Sequence, residues 1–223
     1  TKVYLIDKAD RILPFEDKDV ADLVATNLEE NGVVIHRGAQ LIRMDHLGNE
    51  VEYEIENPDG SREVIRVEKA MLSIGRVPNI EDLKLENANV QMSKRGVHIG
   101  DEDTRTNVPH IYAVGKMFGD FPVKPIHYEN ISTIMFLNPE VAAVGLNEQK
   151  AEELGIPIRV SKVDYSTIAR AIAMRKTNGF FKIIVSDDEE MKVLGMRAIG
   201  EHASSAIQSV SLLMYMNKGI DEL

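Results

Sequence analysis

Three stretches of this chain carry residues whose types and places suit chemistry. The first is Asp7, an acidic side chain that ends the short apolar run Val3-Tyr4-Leu5-Ile6. A carboxylate at the end of the second strand of a dinucleotide fold accepts hydrogen bonds from the adenosine ribose hydroxyls. Its charge also repels a 2′-phosphate, which favours NAD over NADP. An Asp in that place more often serves as a turn or helix-capping residue, and Lys8 and Arg11 nearby keep NADP open. The second stretch is Ser73-Ile74-Gly75-Arg76-Val77-Pro78-Asn79, and the third is Thr106-Asn107-Val108-Pro109-His110-Ile111-Tyr112-Ala113-Val114-Gly115. Taken singly, a Gly after a strand marks a tight turn and Asn-Val-Pro marks a loop.

The elements that must position these residues follow from hydrophobic periodicity. Val3 to Ile6 reads as a buried parallel strand. The run from 16 to 31 places Val20, Leu23, Val24 and Leu28 on one helical face with Gly32 as its stop, and Val33-Val34-Ile35 gives a second buried strand. Together they make a βαβ unit. Alternation through Val51, Tyr53 and Ile55, the turn Pro58-Asp59-Gly60, and the return through Ile65 and Val67 predict a hairpin. Ala70 to Ile74 reads as another buried strand, running into Gly75. A polar, irregular stretch then leads to a strand over Ile111 to Val114.

From Ile131 the pattern turns to α+β. The expected elements are a strand at 133–137, a helix at 147–154 closed by Gly155, strands near 158–164, an alternating pair at 179–186 and 192–200, and a helix at 203–218. The expected division is 1–75, 76–130 and 131–223.

Composition removes several function classes. The formal net charge is −10 and no stretch gathers Lys and Arg into a basic face, so nucleic acid is not an expected partner. No apolar run approaches the roughly 20 residues that span a bilayer, and the expectation is a cytoplasmic protein with no membrane partner. Without Cys there is neither a thiol nucleophile nor a zinc-thiolate site, and the six His show no i, i+4 pairing, so no metal site is expected.

In this order and at this separation, the motifs resemble those of the pyridine nucleotide-disulfide oxidoreductases, the family of dihydrolipoamide dehydrogenase, mercuric reductase and glutathione reductase. Asn138-Pro139-Glu140-Val141-Ala142-Ala143-Val144-Gly145-Leu146 is similar to the opening of that family's C-terminal interface domain. Arg170-Ala171, Thr177 to Ile183, Leu194-Gly195 and Ile199-Gly200 are similar to its following strands. The resemblance implies an α/β plus α+β chain: a partial Rossmann-like NAD domain, a return segment of an FAD domain, and a dimerisation domain that forms a homodimer. It also implies that Asp7 is the ribose-binding acid, that Leu41 is a backbone or apolar contact near the adenine, that Gly75 lies along the nicotinamide, and that Arg76 sits at the return into the flavin part.

The chain departs from the family at Lys116, where relatives carry an Asp that holds the flavin's ribityl chain; a lysine has no acceptor to offer. Roughly twenty residues, one strand-to-helix unit, are expected to be missing at Gly115-Lys116. The resemblance places the Gly-rich turns and a CxxxxC pair ahead of residue 1, and the His-Pro loop with its Glu beyond residue 223. No catalytic residue is therefore expected within the chain, which reads as retained segments of a longer polypeptide. The implied parent reaction is hydride transfer between NAD(H) and FAD and on to a disulfide such as lipoamide. The alternatives are a truncated, catalytically silent dimerisation module, or a transhydrogenase or NADH oxidase of the same fold.

Overall fold

The computed structural model describes residues 1–75, 80–93, 96–97, 105–112 and 130–223. Two compact units divide the chain, Thr1–Ala70 with Glu129–Leu223, and Met71–Tyr128.

In the first unit, β1 (Val3–Asp7), α1 (Lys18–Glu30) and β2 (Val33–Arg37) form the expected βαβ unit, with β1 and β2 parallel and Asp7 opposite Arg37. Helix α1 buries Val20, Ala21, Val24 and Ala25 in one stripe and stops at Gly32, whose φ of 87° suits glycine. Alternation along β1 sends Leu5 to the α1 side, while Tyr4 and Ile6 pack against Ala39, Tyr53, Ile55 and Ile65. Those partners come from an antiparallel sheet of β3 (Gln40–His46), β4 (Val51–Glu56) and β5 (Arg62–Val67), in the order β3-β4-β5. The β4–β5 hairpin turns as predicted: Gly60 donates its N–H to Asn57 O, and Asp59 Oδ1 accepts from Ser61 N.

Strand β3 was not expected. It is an edge strand, exposed at every position except Asp45, so no alternation of burial marks it in the sequence. The strand expected over Ala70 to Ile74 is absent: this segment is irregular, and Met71 and Ile74 are 85% and 92% exposed. A strand buried on both faces needs hydrogen-bonding neighbours, and among the described residues no strand pairs with this segment.

Within the second unit, β6 (Met92–Ser93) pairs with β7 (Gly96–Val97), and Arg105 bridges Tyr112. Thr106 Oγ1 donates to Ile111 O at 2.8 Å and accepts from Val108 N at 3.1 Å. Asn107 accepts from Gln91 N at 2.7 Å and donates to Asn89 O at 2.8 Å. The Thr-Asn-Val motif is thus a clamp that satisfies its own loop and its neighbour. Of the strand expected over Ile111 to Val114, only residues 111 and 112 are described; Arg76 and the Gly115-Lys116 junction lie outside the described residues.

The rest of the first unit is built on β8 (Thr133–Met135), β9 (Val141–Gly145), α2 (Glu148–Leu154), β10 (Ile158–Asp164), α3 (Ala169–Ala173), β11 (Phe180–Ser186), β12 (Val193–Ile199) and α4 (Ala203–Tyr215). Its sheet is antiparallel throughout, in the order β10-β11-β12-β9-β8. One face packs Ala142, Val144, Val185, Met196 and Ala198 against Ala203, Ile207 and Val210 of α4. Met214 joins that core, whereas Leu212, Tyr215 and Met216 are exposed. Gly145 and Gly195 sit opposite each other, and a Cβ on Gly195 would lie 2.0 Å from Leu146 O. Only glycine permits that crossing of β9 and β12.

The other face of the sheet meets α1. Val141, Phe180 and Ile199 pack against Ile12, Val20, Val24 and Ala25, so α1 is apolar toward two sheets at once. In phase with those apolar residues stand two cations, Lys182 of β11 and Arg197 of β12, directly opposite each other. Among the described residues no helix is long and apolar enough to cross a membrane.

Candidate nucleotide site and the seam behind it

Asp7 ends β1 half-buried, and its Oδ1 accepts the Ala9 N–H at 2.9 Å. The loop it opens is tied to the chain leaving β2: Ala39 N donates to Asp7 O at 3.0 Å, and Gly38 N donates to Ala9 O at 2.7 Å. These bonds leave Oδ2 of Asp7 without a hydrogen bond among the described residues, the arrangement that a ribose hydroxyl donor would complete. The turn role and the ligand role of Asp7 are therefore compatible, one oxygen for each.

The two arginines nearby, Arg11 and Arg37, are committed elsewhere. Arg11 Nη2 donates to Pro14 O at 2.9 Å, Glu16 O at 2.8 Å and Gln149 Oε1 at 2.6 Å. Arg37 pairs with Glu29 at 2.8 Å. Lys8 is exposed.

Leu41 lies on the edge strand β3 opposite Ile55 and is 40% exposed. It shares the first unit with Asp7. Gly75 belongs to the second unit, exposed, with a φ of 146° that side chains rarely adopt.

Behind the Asp7 loop runs a charged seam that the sequence reading missed. Lys182 is 1% exposed, and its Nζ lies 2.7 Å from Asp17 Oδ2, Asp19 Oδ1 and Glu148 Oε1. The two contacts to Asp19 and Glu148 are aligned hydrogen bonds. Burial alone would lower the Lys182 pKa, but the three carboxylates outweigh it and hold the ammonium above its ordinary value. For Asp19, burial pushes upward, yet hydrogen bonds from Lys182 and from Lys162, the latter at 2.9 Å, hold the carboxyl below its ordinary range. Asp17, Asp19 and Glu148 converge as cation ligands do, and the cation they enclose is this ammonium.

Arg197 is the second buried cation. Its Nε donates to Glu16 Oε2 at 2.6 Å, and its Nη1 donates to the carbonyls of Val144 and Met196 at 2.9 Å each. Main-chain groups complete the seam: Asn147 caps α2 by accepting from Lys150 N and donates to Phe15 O at 2.8 Å, while Asp17 Oδ1 accepts from Gln149 N at 3.1 Å. A Lys and an Arg in the buried phase of two strands, facing the Glu16-Asp17-x-Asp19 run, were the signal available in the sequence.

Residues 1–135 match the profile of the pyridine nucleotide-disulphide oxidoreductases, and residues 131–223 match the dimerisation domain of the same proteins. The chain belongs to this family. Its members are oxidoreductases that use FAD and NAD(P). The dihydrolipoyl dehydrogenase of Chlamydia muridarum is 31% identical over 95% of the chain and 48% of its own length. The mercuric reductase of Lysinibacillus sphaericus is 29% identical over 100% of the chain and 44% of its own length. Among solved structures, a flavoprotein disulfide reductase of Escherichia coli, as its Cu(II) complex, superposes with a TM-score of 0.84 at 26% identity, covering 100% of this chain and 54% of that one. LpdA of Mycobacterium tuberculosis shares the fold, with a TM-score of 0.85 at 24% identity over 100% of this chain and 52% of that one.

The chain thus spans about half the length of the curated relatives it matches. The mercuric reductase alignment runs over 243 positions against the chain's 223 residues, which leaves about 20 positions of the relative without a counterpart.

Proposed function

We propose that the whole protein is a homodimeric flavoenzyme that moves a hydride between NAD(H) and FAD and passes the electrons to a disulfide of the lipoyl type. The observation that carries this reading is Asp7, held at the carboxyl end of β1 in a parallel βαβ unit with one carboxylate oxygen unengaged among the described residues. Ligands of open α/β sheets bind at that end of the strands. The commitment of Arg11 and Arg37 to other partners supports NAD over NADP, because neither guanidinium is free for a 2′-phosphate.

In this reading Asp7 grips the adenosine ribose, Leu41 offers an apolar contact near the adenine, Gly75 lets the backbone pass close to the nicotinamide, and Arg76 returns the chain to the flavin part. Bound FAD supplies the hydride exchange itself, and the protein orients the nicotinamide and excludes water. The segment that the resemblance assigns to the flavin falls largely outside the described residues, and no step is derived through it. Residues 1–75 would belong to the NAD domain, 76–130 to the FAD domain and 131–223 to the dimerisation domain. Exposed Phe136, Leu212, Tyr215 and Met216 offer the apolar surface for a second copy.

A catalytically silent dimerising module is the second reading, favoured by the 20 or so positions that relatives carry and this chain does not. The test is NADH binding and flavin reduction by the full-length protein and by Asp7→Asn. Charged hydrogen bonds contribute about 1.5–3 kcal/mol, so the variant should bind NADH roughly tenfold or more weakly and discriminate less against NADPH. An Asp7→Asn protein that binds NADH as the wild type does removes Asp7 from the site. A wild type whose flavin stays oxidised leaves the silent module.

A further inference from the structure

The buried seam does more than glue two sheets. Replacing a buried ion pair by apolar side chains of similar volume is often neutral or stabilising, so a cluster of two cations and four carboxylates is not explained by stability alone. What it supplies is directional: each carboxylate is held at one point and angle, where an apolar contact would tolerate sliding.

The segment it fixes is Arg11 to Asp19, which starts four residues after Asp7. Arg11 ties its loop to Gln149 of α2, Glu16 is held by Arg197, and Asp17 and Asp19 are held by Lys182. Asn147 secures the Phe15 carbonyl between them. The residues leading into this stretch carry the Asp7 carboxylate, and there the main-chain carbonyls of Asp7 and Ala9 accept from Ala39 N and Gly38 N at the end of β2. The loop from Lys8 to Asp17 is therefore pinned at both ends, once within the βαβ unit and once on the dimerisation sheet.

We propose that Lys182 is a positioning residue for the nucleotide site: from the dimerisation sheet it sets the conformation of the loop that presents Asp7, and so sets the affinity for the dinucleotide. This rests on the reading of Asp7 as the ribose-binding acid. Lys182 does not touch the nucleotide and takes no part in hydride transfer.

The experiment is rapid-mixing reduction of the flavin by NADH in the full-length holoenzyme, comparing wild type with Lys182→Met, Lys182→Arg and Asp19→Asn. Lys182→Met should raise the apparent NADH dissociation constant about tenfold, within the range of coupling between distinct sites, with the limiting rate of reduction held within about twofold. The conservative Lys182→Arg should recover part of the affinity, a rescue that a role in stability alone would not give in this readout. Asp19→Asn keeps the Asp17 and Glu148 contacts and should show the same split at about threefold; it decides the matter if Lys182→Met does not fold. Unchanged NADH affinity in Asp19→Asn and in every folded Lys182 variant overturns the inference while leaving Asp7 in place. A fall in limiting rate with affinity unchanged also overturns it. A wild-type flavin that NADH leaves oxidised overturns the functional reading and this inference with it.

Discussion

Two ionic systems in the first unit use the same side chains to opposite ends. On the outer face of β3–β4–β5, Arg66 meets Glu52 at 2.8 Å, Arg43 meets Glu52 at 3.1 Å, and Arg62 meets Glu54 and Glu56 at 3.2 and 3.1 Å. These arginine side chains are 53–64% exposed. At the seam, Lys182 and Arg197 are 1% and 7% exposed and face four carboxylates. Distances are alike in the two places, and solvent is what differs. Water and salt screen the ladder, so each pair contributes little. Lys182, Asp17, Arg197 and Glu16 have left water, while Asp19 and Glu148 reach it from the rim, so removing a buried cation strands a buried carboxylate. Counting ion pairs would rank the surface ladder first, whereas burial separates the two systems and assigns to one a surface role and to the other the joining of two sheets.

The largest effect that separates them is expected from Lys182→Met. It leaves the buried Asp17 without its counter-charge and Asp19 with Lys162 alone, and should destabilise the first unit by about 3–5 kcal/mol, read from the shift of the urea unfolding midpoint, with little dependence on salt. A loss below about 1 kcal/mol would place the seam in the same class as the surface ladder.

The pH response comes next. Asp19 has a folded pKa held below its ordinary 3.8, so its contribution is present above that value and is lost as pH falls through the depressed one. Lys182 is raised above 10.5, so its contribution is full below that pH and is lost as pH rises through the folded value. Stability from this pair should be flat across neutral pH and fall only below about pH 4 and above about pH 10.5. A steep fall in thermal midpoint between pH 6 and pH 8 that vanishes in Lys182→Met would contradict it.

The smallest effect is expected from Arg66→Ala, which removes one exposed rung. It should lower the urea unfolding midpoint only slightly in low salt and not measurably in 1 M salt, checked by urea unfolding at the two salt concentrations.

Much of this fold was legible in the sequence because its elements bury one face. Helix α1 and the 51–67 hairpin show the periodicity of half-buried structure, β1, β2 and β9 show short apolar runs, and the linked motifs pointed to the family. Strand β3 escaped because it is exposed on both faces. The stretch from Ala70 to Ile74 misled because an apolar run states only that burial is favourable and says nothing of whether neighbours are there to pair with it. For the site, Asp7 and Gly75 stood out by type and position. The seam did not, because its members are spread from Glu16 to Arg197, and only the sheet register brings Lys182 and Arg197 side by side. A charge in the buried phase of a strand was the local clue, and its partners depended on tertiary packing.

The central claim is that α1 and the dimerisation sheet form one unit locked by Lys182. Hydrogen exchange of the full-length protein, wild type against Lys182→Met, tests it most directly. Amides of α1 (Lys18–Glu30) and of β11 (Phe180–Ser186) should lose protection together in the variant, while those of β4 and β5 keep theirs. Loss confined to β11, with α1 as protected as before, would contradict the account and leave Lys182 a local feature of its own strand.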